Sequence, residues 1–307
     1  MSSNVLGLTV VLADGRVIKT GGRARKSAAG YDLTHIFVGS EGTLGLITEV
    51  RLKLYGVPET IVAAICPFEN LDGAVRAVID IIQLGIPVAR VEFLDDVQVR
   101  ACNFYSKLSL PEKPHLFFEF HGSPATVQEQ VETVEAIAQE RGSSGFERAH
   151  SLEDRNRLWK ARHNAYFAAV ALRPGSEVWS SDVCVPISRL ADVVAAVRAD
   201  IDEHGLLAPI VGHVGDGNFH VLFNLDPARP EERETAKAVY NRMIKLALAA
   251  GGTCTGEHGI GLNKRQHLVH EVGSDAIDTM RVVKQALDPL SLLNPGKIFE
   301  HRGAEFA

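Results

Sequence analysis

The stretch GHVGDGNFH, residues 212–220, sets His213 and His220 on either side of Asp216 and Gly217, and GEHG follows at 256–259. Imidazole nitrogens and carboxylate oxygens bind divalent cations, and two histidines with one carboxylate leave a coordination position open for water or substrate. If Asp216 and Gly217 are the central pair of a hairpin turn, register pairs 215 with 218, 214 with 219 and 213 with 220. The two imidazoles then face each other with Cβ atoms about 4.5–5.5 Å apart, near enough to share one ion. Val214 and Phe219 point the other way, into a core. Glu257 is the candidate third ligand, with zinc the expected metal. It lies in GGTCTGEHGIG, where glycine lets backbone approach a ligand closely, and His258 beside it is the candidate general base. Asp216 is a further potential ligand, although turn chemistry already explains its place. The same residues also suit a plain cross-strand histidine pair beside a polar loop, and an H-x6-H spacing leaves both readings standing.

Arg162 is the candidate for binding a substrate carboxylate, because its planar fork of donors suits that group. It falls within a helix expected over 151–172, with Trp159 one turn before and Tyr166 one turn after, a spacing that puts all three on one face. A solvated helix arginine is the competing reading.

These residues need a scaffold, and the chain can build one. It has 307 residues, 46% of them hydrophobic, enough for one large or two ordinary domains. A formal charge of −6, with its basic residues dispersed, argues against nucleic-acid binding. No apolar run reaches a membrane-spanning length and the N-terminal stretch lacks signal-peptide features, so no transmembrane segment is expected and the default location is cytoplasmic, with peripheral attachment to the inner membrane left open. Cys66, Cys102, Cys184 and Cys254 are widely spaced, which suits reduced thiols. Six of the 12 histidines lie at or after position 213.

Along the chain, LGLTVVLA and RVIKT flank Asp14-Gly15 as a hairpin with a two-residue turn. THIFVG reads as a short strand, the glycine-punctuated 39–45 as a loop, and the run to Tyr55 as a longer strand, with a domain boundary near 57. Two similar rounds follow. The first has strand 60–66, helix 70–84, strands 89–95 and 115–121, and helix 124–140. The second has strand 177–185, helix 188–204, strands 207–214 and 218–225, and helix 231–250. This order favours an α+β fold, an antiparallel sheet with helices packed on one face. The tail holds a helix ended by Asp288-Pro289.

Taken in order, GYDLTHIFVGSEGTLGLITE, LWKARHNAYFAA, SDVCVPISRL, GHVGDGNFHVLFN, TGEHGIGLNKR and LNPGKIF give a chain that resembles, over nearly its whole length, the D-lactate dehydrogenase and glycolate oxidase group of FAD-linked, vanillyl-alcohol-oxidase-like oxidoreductases. The resemblance implies that Ser40, Glu41, Gly42, Thr43, Gly45, Ile47 and Asn294 contact FAD. It implies a divalent metal on His213, His220 and Glu257, a base at His258 and a carboxylate anchor at Arg162. It also implies a partial FAD-binding domain over 1–57, a substrate-binding cap over 58–270, and a return to the FAD-binding domain over 271–307. The expected reaction is oxidation of a D-2-hydroxy acid such as D-lactate, with a cytochrome, quinone or flavoprotein as electron acceptor. Full-length relatives carry a further FAD-binding subdomain before this region, so a fragment, a misplaced start or a partner chain that completes the flavin domain is expected. A non-catalytic subunit is the alternative reading.

Overall fold

The computed structural model describes residues 2–24, 26–149 and 151–299. Two compact units emerge, one drawing on residues up to Val57 and from Glu257 onward, the other running from Pro58 to Gly256.

In the first unit, β1 (Val5–Val11) and β2 (Val17–Gly21) form an antiparallel hairpin. Leu12 N donates to Arg16 O (2.9 Å) and Gly15 N to Leu12 O (3.0 Å), so the connection holds three residues, Ala13 to Gly15, and not the two expected. A two-residue primed turn of the Asp-Gly kind needs left-handed φ at both central positions; here only Gly15 adopts one, at +85°. The expected strand at 34–38 is instead the helix α1 (Leu33–Phe37), because Asp32 caps it by accepting from His35 N. Next, β3 (Leu46–Leu52) pairs with β1, giving the order β2-β1-β3. Leu8, Val10, Leu12, Phe37 and Leu44 form this unit's core.

The second unit contains β4 (Thr60–Pro67), α2 (Leu71–Gln83), β5 (Arg90–Leu94), α3 (Asp96–Ser106), β6 (His115–Gly122), α4 (Pro124–Glu140), β7 (Glu147–Ala149), α5 (Leu152–His163), α6 (Ala165–Ala171), β8 (Glu177–Ser180), β9 (Val183–Cys184), α7 (Leu190–Glu203), β10 (Ile210–Gly212), β11 (Asn218–Leu225) and α8 (Pro230–Ala249). Among the described residues its strands make one eight-stranded sheet in the order β7-β4-β6-β5-β10-β11-β8, with β9 also on β11. Every pairing is antiparallel. Asn70, Asp95, Ser123 and Ser151 cap their helices by accepting a backbone N–H three residues on, which satisfies donors that a helix start leaves orphaned.

The α+β class stands, but helices cover both faces of the sheet rather than one. Ala63, Ile65 and Phe117 on one face pack with Val99, Trp159 and Ala168 of α3, α5 and α6. The alternate residues Val62, Ala64, Phe118 and Phe120 are buried as well, on the face carrying α2 and α4. The helix α3 is additional to the expected elements, and the single helix expected over 151–172 is divided at Asn164 into α5 and α6. The expected strand 177–185 is likewise two short strands.

The return to the first unit comes at 257 rather than 271. The reason lies in backbone donors just past that point: Ile260 N and Gly261 N both give hydrogen bonds to the Glu41 carboxylate (2.7 and 2.8 Å), and Ile298 N donates to Gly261 O. Two helices follow, α9 (Arg265–Val272) and α10 (Ser274–Leu287), joined at Gly273 with φ of +80°.

Candidate active site

The sheet register builds the site in the second unit. Val211 pairs with His220 and Ile210 with Val221, so the hairpin sits two residues away from the expected register. Its turn is longer: Asp216 N and Asn218 N both donate to His213 O, and Gly217 N to Val214 O. An even slip keeps every side chain on its expected face. His213 and His220 therefore still share a face, as diagonal neighbours, with ring centroids 5.9 Å apart and planes at 87°. A ring nitrogen of one lies within 4.8 Å of a ring nitrogen of the other. Val214 and Phe219 are fully buried on the opposite side. Gly217, at φ +78°, makes the turn possible, since a Cβ there would stand 2.1 Å from Val185 O.

β5 lies on the other side of β10, with Gly212 opposite Phe93, which brings Glu92 level with His213. The Glu92 carboxylate is 2.8 Å from His213 Nδ1 through Oε1. Through Oε2 it receives Arg162 Nε (3.0 Å) and meets Arg162 Nη2 at 2.9 Å. Arg162 stands in the last turn of α5, where a cation is favoured by the helix dipole. The expected Trp159-Arg162-Tyr166 face does not form, because the helix breaks at Asn164. Trp159 is buried against Phe117 and Arg90, while Tyr166 is exposed beside Phe167.

His220 Nδ1 lies 3.0 Å from Ser181 O and 3.7 Å from an oxygen of the buried Asp182. With Nδ1 of both rings engaged, Nε2 is the atom each would present to a cation, the arrangement that carboxylate and carbonyl partners impose on metal-binding histidines. The donor set fits a divalent ion. Asp182 also accepts from Thr255 Oγ1 (2.8 Å), and Thr253 exchanges backbone hydrogen bonds with Cys184. These contacts fix the segment that ends at Gly256, whose Cα rests on the Asn218 amide so closely that a Cβ would meet it at 2.7 Å. Glu257 and His258 follow as the first residues of the returning segment, with Oε1 and Nε2 3.7 Å apart. Burial, with Asp216 and Asp182 adding to it, pushes the Cys184 thiol up.

In the first unit, Gly39, Glu41 and Gly42 all take left-handed φ, the kind of turn that aims successive N–H groups at an anion. Ser40, Thr43 and Gly39 line a cavity of about 230 Å³ with Val283, Ile298 and Phe299. Ser40 Oγ is buried there without a hydrogen-bond partner among the described residues. A cavity below the about 300–1,000 Å³ of drug-sized pockets would take only part of a dinucleotide, and the orphaned hydroxyl fits a polar group of one. The other expected FAD contacts serve the chain itself. Glu41 holds the 260–261 backbone, Asn294 Nδ2 donates to Glu41 O (2.6 Å), and Gly45 leaves room for Val10, whose Cγ1 a Cβ would approach to 2.5 Å. Ile47 is exposed on β3.

Residues 57–298 match the family model described as the C-terminal domain of FAD linked oxidases. The chain belongs to the FAD-linked oxidases. Among curated relatives, "Probable D-lactate dehydrogenase, mitochondrial" of Danio rerio is 52% identical over 98% of this chain and 61% of its own length. "D-lactate dehydrogenase [cytochrome], mitochondrial" of Arabidopsis thaliana is 45% identical over 97% of this chain and 53% of its own. Thus this FAD-linked oxidase chain spans a little over half the length of the relatives it matches. The fold agrees with that of a 4-ethylphenol oxidase from Gulosibacter chungangensis, at TM-score 0.76, 19% identity and coverage of 98% of this chain and 67% of that one.

Sequence reasoning missed Glu92, Asp182 and Asn218. Glu92 becomes a neighbour of His213 only through the β5–β10 pairing, a contact across 121 residues that no local pattern announces.

Proposed function

We propose that the chain is the substrate-side portion of a flavin-dependent D-2-hydroxyacid dehydrogenase that oxidises a D-lactate-like substrate to the 2-oxo acid. One observation carries the reading: two histidines share a face of the sheet with a carboxylate-held arginine bridged to one of them. A metal-binding histidine pair beside a carboxylate anchor suits a substrate with adjacent carboxylate and hydroxyl groups. The names of the D-lactate dehydrogenase relatives support the substrate class.

When bound, FAD would accept the hydride and a divalent ion, zinc by expectation, would polarise the hydroxyl. Arg162 anchors the carboxylate. Glu92 occupies its Nε and Nη2, so the five-donor fork still has Nη1 to offer. His213 and His220 hold the ion through Nε2, with Glu257 as third ligand. That assignment is supported by the TGEHGIGLNKR motif in which Glu257 stands. His258 takes the hydroxyl proton on a ring nitrogen. Ser40, Gly42 and Thr43 receive part of the FAD, while Glu41, Gly45 and Asn294 shape that loop.

The bracketed word in the Arabidopsis name supports a cytochrome as acceptor. Both named relatives are mitochondrial by name, so the default cytoplasmic location is not carried forward. No helix among the described residues is long and apolar enough to cross a membrane. Visible absorbance with metal analysis, followed by D-lactate-dependent dye reduction in the chain completed by its flavin-binding portion, tests the proposal. Flavin colour, bound metal and D-lactate oxidation are expected; metal-dependent activity without flavin would replace it with a hydrolase.

A further inference from the structure

Glu92 is buried, 5% exposed, on the central strand β5, and it makes no contribution to an apolar core. Burying a carboxylate costs several kcal/mol unless it is paired and hydrogen-bonded. Both of its oxygens are used, and on different groups: Oε1 on His213 Nδ1, Oε2 on the Nε and Nη2 of Arg162. We propose that Glu92 is the positioning residue that links the two halves of the site, fixing the His213 ring for the cation and the Arg162 fork for the substrate carboxylate. This rests on the metal and carboxylate reading above and adds a residue to it.

The chemistry follows from which atom donates. A carboxylate accepts only, so His213 must carry a proton on Nδ1, which leaves Nε2 as the atom that can face a cation. A carboxylate partner also raises the basicity of the ring, and losing such a partner typically lowers metal affinity about 10–100-fold. On the other oxygen, the ion pair holds a long side chain that would otherwise sample many rotamers, so less ordering is needed when a second acceptor arrives. Shared charge couples the halves. Density drawn from Glu92 toward Arg162 is density withdrawn from His213, so substrate and cation should sense each other through this one carboxylate.

Zinc affinity of the chain, measured by competition with a chelating dye, tests the link, with His220→Ala to identify the site. Glu92→Gln should bind zinc at least about tenfold more weakly than the native chain, Glu92→Asp should fall between them, and Arg162→Lys should bind zinc within about twofold of native, a change well below that expected when the hydrogen-bond partner of a metal-binding histidine is removed. Binding of D-lactate to the zinc-loaded chain should weaken in both Glu92→Gln and Arg162→Lys. A second measurement needs no variant: histidine nitrogen resonances of the metal-free chain should show His213 as the Nδ1–H tautomer. Native zinc affinity in Glu92→Gln, or an Nε2–H tautomer at His213, would overturn the inference. Zinc affinity unchanged by His220→Ala would instead remove the metal reading, and the inference would fall with it.

Discussion

At the scale of single residues, the site divides its labour between groups that would touch substrate and groups that hold them. His258→Ala in the completed enzyme should lower turnover about 10²–10⁴-fold, the usual contribution of a general base, with flavin absorbance unchanged; unaltered turnover would remove His258 from the reaction. Arg162→Lys keeps the charge but loses the planar fork, so KM for D-lactate should rise more than kcat falls, as steady-state kinetics will read. The histidines, Glu257, His258 and Arg162 were all legible as chemistry-bearing types in motif context. What the sequence could not supply was the partner of each. Glu92 looks like any residue of the strand RVEFL, and only a pairing between strands far apart in sequence gives it its role.

At the scale of elements, the histidine hairpin shows why a wrong register still led to the right face. The Asp-Gly signal suggested a two-residue turn, whereas the chain uses a longer one in which only Gly217 is left-handed. The slip was even, so the side-chain alternation survived it. Gly217→Ala should cost about 1–3 kcal/mol from backbone strain alone, and more because the new Cβ would meet Val185 O at 2.1 Å; denaturant midpoints will measure this. The start of β10 depends on Asp95, which caps α3 and accepts from Ile210 N (2.9 Å) and Arg198. Burial pushes the Asp95 carboxyl up to about 7, against the pull of Arg198. A folded value above the unfolded 3.8 means that the folded chain holds more proton between those limits, so this group's contribution to stability falls as pH rises through them. Relative to Asp95→Asn, the native chain should therefore lose stability between about pH 4 and 7 in chemical unfolding. Long amphipathic helices and glycine-bounded strands were readable at this scale. Short or interrupted elements such as α1, α3 and the α5–α6 break were not, because capping side chains and the packing of the sheet's second face decide them.

At the scale of the whole molecule, the chain belongs to the FAD-linked oxidases, and the relatives it matches are longer than it is. All seven residues of β3 are exposed, and Leu46, Ile47, Val50 and Leu52 present apolar surface on a strand that, among the described residues, is paired along one side only. Such an edge promotes strand-to-strand association, and an added lysine opposes it. Light scattering of the chain alone should reveal concentration-dependent self-association that Val50→Lys reduces; a monomer at all concentrations would count against this. The family and the α+β class were legible in the ordered motifs, whereas the point of return to the first unit depended on the Glu41 carboxylate gathering the 260–261 backbone. The convergence of metal ligands is tested most directly by anomalous X-ray scattering at the zinc edge from crystals of the zinc-loaded chain. One strong peak is expected, about 2.0–2.1 Å from Nε2 of both His213 and His220 and within bonding distance of the Glu257 carboxylate; a peak bound elsewhere, or touching neither histidine, would contradict the account.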